Sequence, residues 1–128
     1  MSTDKILAVV DRHFSFETPE QIDKVIETYA DHVIWEAPAR NLYLTDHRAI
    51  VAEYRKIIAG ISNPNMEVLR RFACNNEAFD DRLVYFTALK GNVWGIEPNK
   101  KVKLRLVHYF KVKDDKITHE IGYEMWTS

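Results

Sequence analysis

The sequence predicts an α+β domain in which three N-terminal helices pack in the concave face of a curved, mainly antiparallel sheet, forming a cone-shaped barrel. Three observations predict it. Apolar residues recur at helical spacing behind capping signals in the first half, four long stretches alternate in the second half, and Asn/Asp pairs punctuate those stretches.

The elements follow in order. Thr3-Asp4 reads as a cap, after which Ile6, Val10 and His13-Phe14 recur at helical spacing. Thr18-Pro19-Glu20-Gln21 places a capping threonine, a proline at the first helical position and a glutamine three residues after the cap. Ile22, Val25, Ile26 and Tyr29 then form the apolar stripe of a second helix. A short strand, HVIWEAP, ends at Pro38, and a loop runs from Ala39 to Thr45. Asp46 is the expected cap of a third helix with the stripe Ile50, Tyr54, Ile57, Ile58 and Ile61, which stops at Gly60 and the breaker Ser62-Asn63-Pro64-Asn65. Four strands remain: MEVLRRFAC, DRLVYFTALKG, KVKLRLVHYFKV and ITHEIGYEMW, with turns at Asn75-Asn76 and Asp114-Asp115.

The chain has 128 residues, which predicts one domain over 1–128 with one core. Eighteen basic and 19 acidic residues leave a net charge of −1, so no electrostatic footprint for nucleic acid is expected. The single cysteine, Cys74, excludes an internal disulfide framework, suits a reducing compartment and is expected to be buried. With no long apolar run and no signal-like N-terminus, no membrane contact and a cytoplasmic location are expected. No HExxH, paired Cys/His spacing, Gly-rich phosphate loop or serine elbow occurs, so neither a metal nor a cofactor is expected.

Strand alternation assigns faces. Leu104, Leu106, His108, Phe110 and Val112 share a face that is apolar apart from one histidine, and should point inward. On the last strand Ile117, His119, Ile121, Tyr123 and Met125 are the greasier set, whereas Thr118, Glu120, Gly122, Glu124 and Trp126 are more polar. Patterning buries the first set. A three-residue turn, Asp114-Asp115-Lys116, would instead pair Phe110 with Glu120, His108 with Gly122 and Leu106 with Glu124, turning the carboxylates inward. Glu120 and Glu124 then lie about 13 Å apart at ~3.3 Å per residue, too far for a paired-carboxylate site. Each is a diagonal neighbour of His108, roughly 7–8 Å away between backbones. A His–Glu hydrogen bond is within reach, and it would raise the imidazole's pKa and fix its tautomer.

The stretches YADHVIWEAP with LTDHRAI, GNVWGIEPNKKVKL, and VHYFKVKDDKITHEIGYEMW resemble the SnoaL-like polyketide cyclase group. This group belongs to the nuclear transport factor 2-like superfamily (the cystatin-like cone), with ketosteroid isomerase and limonene epoxide hydrolase. The resemblance implies a deep pocket for an apolar or polyketide-like molecule, no metal or redox cofactor, and a homodimer through the outer sheet face, where Tyr109, Ile121, Tyr123 and Met125 form an apolar patch. Carried over by position, the isomerase's general base falls at Ala37, its neutral carboxylic acid at His108 and its oxyanion-binding tyrosine at His13. The acidic residue of the cyclases and the epoxide hydrolase falls at Gly122. The same comparison turns Glu120 and Glu124 inward and puts Leu83, Tyr85, Thr87 and Leu89 in the pocket wall.

These residues define two expected functions for the pocket, beside a third possibility, an interaction module that dimerises through the outer sheet face. One is a cofactor-independent cyclase, isomerase or hydrolase acting by acid/base chemistry on a small apolar carbonyl compound. There His108, Glu120 and Glu124 are catalytic, and His13, Trp35, Glu36, Tyr54, Leu83, Tyr85, Thr87, Leu106, Phe110 and Gly122 bind substrate. Tyr54 is the expected hydrogen-bond partner of His13, and a bulge before Pro38 would turn Glu36 inward. The alternative is a binding protein for a small apolar ligand that lost the family's acid, as Ala37 and Gly122 would leave it. Trp94 caps the pocket mouth or sits in a subunit contact, and His47 and His119 are expected at the surface.

Overall fold

The computed structural model describes residues 2–128. Helix α1 spans Thr3–Ser15, and its cap is Ser2, whose hydroxyl accepts from the Lys5 amide at 3.3 Å, one residue before the expected pair. Ile6, Val10 and His13 form its buried side. The expected second helix is instead a 3-10 helix, Ile22–Thr28, entered through turns over 19–21. Thr18 still accepts from the Gln21 amide at 3.2 Å, as a cap would. The tighter coil follows from the burial pattern: Ile22, Val25 and Thr28 lie three residues apart and line up only at three residues per turn.

Tyr29 opens strand β1 (Tyr29–Ala37), which is longer than HVIWEAP because Tyr29 joins it rather than the helix. Pro38 ends the strand and starts a short 3-10 turn, Pro38–Arg40, closed by Asn41 in the left-handed region at φ 56. The expected loop also contains a strand, β2 (Leu42–Leu44), antiparallel to β1. Helix α2 (His47–Ala59) starts as predicted, with Asp46 accepting from the Ala49 amide at 3.1 Å.

Strand β3 (Ile61–Cys74) begins at once and absorbs the expected breaker through a register shift between Ser62 and Asn65. Pro64 is tolerated because β3 is an edge strand. Cys74, at its end, is exposed rather than buried. Strands β4 (Glu77–Ala88), β5 (Lys101–Lys113) and β6 (Lys116–Thr127) complete a six-stranded sheet in the order β2-β1-β6-β5-β4-β3. Only β1 and β6 run parallel, so the sheet is mixed and mostly antiparallel. Both central residues of the turns Asn75-Asn76 and Asp114-Asp115 have positive φ, the geometry of two-residue hairpins.

The helices pack on one sheet face over Ile6, Val10, Val25, Ile50, Phe110, Val112 and Ile117. A second apolar cluster, Val84, Phe86, Ala88, Trp94, Val102 and Leu104, fills the sheet's other end. Among the described residues, no helix is long and apolar enough to cross a membrane.

Candidate functional site: a charged cavity between two apolar clusters

The site begins with the β5–β6 hairpin. Phe110 pairs with Glu120, His108 with Gly122 and Leu106 with Glu124, as the inward register required. The route differs from the expected three-residue turn. Lys113 faces Lys116 across a two-residue turn, and a bulge between Lys111 and Val112 on one side and Thr118 on the other restores the offset. The bulge also resolves the patterning conflict: Ile117 and Glu120, three apart, both face inward and both are buried.

Glu120, 1% exposed, is the hub. Its two oxygens accept from the Tyr29 and Tyr54 hydroxyls, each at 2.7 Å. His13 Nε2 stands 3.3 Å from Oε1 and His108 Nε2 stands 3.7 Å from Oε2.

Hydrogen-bond bookkeeping fixes the state of His13. Thr28 spends its hydroxyl proton on the Val25 carbonyl at 2.6 Å, so its oxygen must accept from His13 Nδ1–H at 3.1 Å. Around Nε2 stand the Tyr54 oxygen at 3.2 Å, whose proton goes to Glu120, and carboxylate oxygens of Glu17 at 3.1 Å and Glu120. A lone pair on Nε2 would meet only acceptors, so both nitrogens carry protons and His13 is an imidazolium. Burial by itself would lower its pKa, but the charge and hydrogen bond of Glu120, with help from Glu17, hold it at about 10. Burial likewise pushes Glu120 up, and the His13 charge and hydrogen bond overcome it, leaving the carboxyl at about 2. Burial, with the Glu120 charge adding to it, drives the Tyr29 and Tyr54 hydroxyls well above their usual range.

His108 has the opposite fate. Burial lowers its pKa, and the attraction of Glu120 across 3.7 Å does not compensate. Sequence reasoning expected a glutamate to raise it; the nearer His13 claims that carboxylate. Neither ring nitrogen of His108 makes a hydrogen bond, and Nδ1 is fully buried. A Cβ at Gly122 would make an ordinary van der Waals contact, 3.7 Å from Nε2, so the ring does not require a glycine there.

At the other end Glu124 accepts from Arg40 Nε at 2.8 Å and from the Trp94 indole at 3.4 Å. Arg40 also donates to Glu53 of α2. Burial works against this guanidinium, but its two carboxylates raise its pKa. Arg40 and Glu53 escaped the sequence reading, because Pro38-Ala39-Arg40 gave no sign that its turn folds back over the sheet.

Between the two ends lies a cavity of about 90 Å³ lined by Glu17, Trp35, Ala37, Arg40, Tyr54, Ile57, Ile61, Met66, Val84, Trp94, Leu104, Leu106, His108, Glu120, Gly122 and Glu124. Of the expected site residues, His108, Glu120, Glu124, Trp35, Tyr54, Leu106 and Gly122 line it. His13 and Phe110 stand behind the wall, fully buried, His13 bonded to Tyr54 as expected.

Five expected wall residues lie elsewhere, among them Leu89, which is exposed just beyond the end of β4. Val84 lines the cavity beside Leu104, so Leu83, Tyr85 and Thr87 take the outer face of β4, and Tyr85 and Thr87 border a separate open groove with Lys101 and Lys103. The positional carry-over from the family is off by one there, and the inward set that it missed includes Asp80 and Arg82. These pair with each other at 2.5 and 2.7 Å, and Arg82 lies over the Phe14 ring at 4.2 Å, which makes their burial tolerable. Glu36 also faces outward, 2.6 Å from His119, because β1 keeps its alternation up to Pro38. Among the described residues, no group of three or more His, Cys, Asp or Glu side chains could hold a metal ion.

An α+β cone with a charged cavity on its concave side is the arrangement these elements define. The sequence pattern of the SnoaL-like domain matches residues 10–120, and the chain belongs to that family. No curated protein matches it in sequence. Solved structures match in fold. An epoxide hydrolase of the limonene type from M. tuberculosis is 16% identical, covers 96% of this chain and 84% of its own, and has a TM-score of 0.71. A nuclear transport factor 2-like protein from Burkholderia xenovorans is 14% identical over 98% of this chain and 92% of its own, at 0.76. A Shewanella putrefaciens protein described as SnoaL-like polyketide cyclase is 15% identical over 93% of this chain and 79% of its own, at 0.75. At such identities the likeness is one of fold.

Proposed function

We propose that this protein is a cofactor-independent enzyme that moves a proton on a small carbonyl compound, with the 90 Å³ cavity as its site and His108 as the group that exchanges the proton. The observation that carries this reading is the contrast between two buried histidines around one carboxylate. His13 is charged and saturated, whereas His108 is neutral, lines the cavity and has no hydrogen-bond partner.

The neutral ring of His108 keeps one lone pair, and the Glu120 charge 3.7 Å from Nε2 favours the ring once it is protonated. As the ring takes a proton from the carbon beside the carbonyl, the electron pair moves into an enolate and the ring becomes an imidazolium. Glu120 then supplies a fixed negative charge, already ionised and ordered by Tyr29, Tyr54 and His13, that favours the charged ring. Its low pKa makes Glu120 itself a poor proton acceptor, so its role is electrostatic. Arg40 and the Trp94 indole line the other end, with their donors on Glu124 and Glu53. The cavity's volume, well under the ~300 Å³ of a usual ligand pocket, restricts the substrate to a few non-hydrogen atoms.

The test is deuterium exchange into butanone in D2O, followed by proton NMR. Exchange above the buffer rate that is lost in His108→Ala supports the proposal, and equal rates with and without protein end it. The second reading, a non-catalytic binder, is favoured by Ala37 and Gly122, which bring no functional group to the cavity wall. It predicts butanone binding with no exchange.

We also propose a homodimer through the outer sheet face. Tyr123 and Met125 are exposed there, and stacked Phe72 and Phe79 continue the apolar row to Tyr109. A dimer in analytical ultracentrifugation that dissociates in Tyr123→Glu checks it.

A further inference from the structure

The charges around the cavity do not balance. Glu120 and Glu124 line it, and Glu17 joins them from the turn after α1. Glu53 stands directly behind on Arg40. Against these four carboxylates there are two cations, Arg40 and the His13 imidazolium, so the cluster carries a formal excess of two negative charges. Nearby, Asp80 pairs with Arg82 and with Arg71, which also holds Asp11, so that group of two carboxylates and two guanidiniums is balanced.

Two acceptors in this cluster are unsatisfied. Glu17 Oε2 is buried with no hydrogen-bond partner, although it lies 3.1 Å from His13, and His108 is 6% exposed with no hydrogen bond at either nitrogen. Burying an acceptor without a donor costs about 1–3 kcal/mol, and a bound donor would remove that cost. The remaining walls are apolar, aromatic at Trp35, Tyr54 and Trp94 and aliphatic at Ile57, Ile61, Val84, Leu104 and Leu106. Ring faces in a desolvated pocket attract cations and, by the same quadrupole, repel anions.

We infer that the ligand of this cavity is a small organic cation, an alkylammonium of a few non-hydrogen atoms whose N–H donors meet His108 and Glu17 and whose alkyl groups meet the aromatic walls. This goes beyond the proposed function by naming a second ligand class for the same cavity, one without the carbonyl that the proton transfer needs, and it rests on that reading only for the choice of site. A neutral His108 is the state suited to accept from an ammonium, and its lowered pKa agrees.

The experiment is calorimetric titration of the full chain with three probes on one branched skeleton: isobutylammonium, isobutanol and isobutyrate. Isobutylammonium should bind about thirtyfold more tightly than isobutanol, the ratio that ~2 kcal/mol of desolvated cation–π attraction gives, and isobutyrate more weakly than either. Its binding should shift the His108 ring-nitrogen NMR signals, and Glu17→Gln, checked for folding by thermal unfolding, should cut the preference at least threefold. Isobutanol or isobutyrate binding as tightly as the ammonium, no binding by isobutylammonium, or a preference unchanged in Glu17→Gln overturns the inference. Butanone exchange is read separately, so loss of the cation preference with exchange intact sinks this inference alone.

Discussion

Glu120 and Glu124 sit four residues apart on one strand, both turned inward and both paired with a cation, yet their surroundings make them different devices. Glu120 is held by a buried imidazolium and two tyrosine hydroxyls, so its partner can lose its charge. Glu124 is held by an arginine that also binds Glu53, so its partner is permanent. The comparison teaches that the choice of cation decides whether a buried carboxylate answers to pH. It also separates two jobs: the Glu120 end handles protons and the Glu124 end fixes charge.

The sharpest way to break this contrast is truncation. Glu120→Ala leaves a buried imidazolium and two buried hydroxyls without their acceptor, and should cost about 3–5 kcal/mol in urea unfolding. Glu124→Ala leaves Arg40 with Glu53 and should cost about 1–2 kcal/mol. Equal losses would erase the distinction.

The next effect is on pH. His13 is raised from 6.5 to about 10, so its contribution is full below pH 6.5 and is lost as pH rises through about 10. Glu120 is lowered from 4.5 to about 2, so its contribution is full above pH 4.5 and is lost as pH falls through about 2. His108 is lowered from 6.5, so stability also declines as pH falls below 6.5. The urea midpoint should therefore peak near pH 6.5 and fall on both sides. In Glu124→Ala the alkaline limb should persist, whereas in His13→Leu it should flatten.

Thr28→Val tests the far side of the same pair. It removes the acceptor of His13 Nδ1–H and should cost about 1–3 kcal/mol, with a lower His13 pKa by NMR titration. The smallest effects belong to the outer face. Tyr85→Ala and Glu36→Ala should stay within about 0.5 kcal/mol and leave butanone exchange unchanged, and a large loss in either would contradict their placement outside the cavity.

Much of this was legible from residue order alone. The cap at Asp46, the hairpin turns at Asn75-Asn76 and Asp114-Asp115, and the inward run Leu104, Leu106, His108 and Phe110 follow from local chemistry, because capping, positive φ and alternation act within a few residues. The pairing of His108 with Gly122 also followed, although through a different turn and a bulge. The phase of β4 did not: its inward set contains Asp80 and Arg82, whose burial is acceptable only because each finds the other and Phe14. Nor did the second helix, whose 3-10 geometry depends on what Ile22, Val25 and Thr28 pack against.

The sequence by itself determined the order of the long elements, the family and the inward face of β5, because these depend on spacing and propensity. Only the tertiary structure decided which histidine is charged. His13 and His108 both lie near one carboxylate, and the difference between them is set by Thr28, Tyr54 and Glu17, residues brought together from three separate elements. A pKa depends on the distance and orientation of neighbours in a poorly solvated interior, and those are quantities that spacing along a chain does not contain.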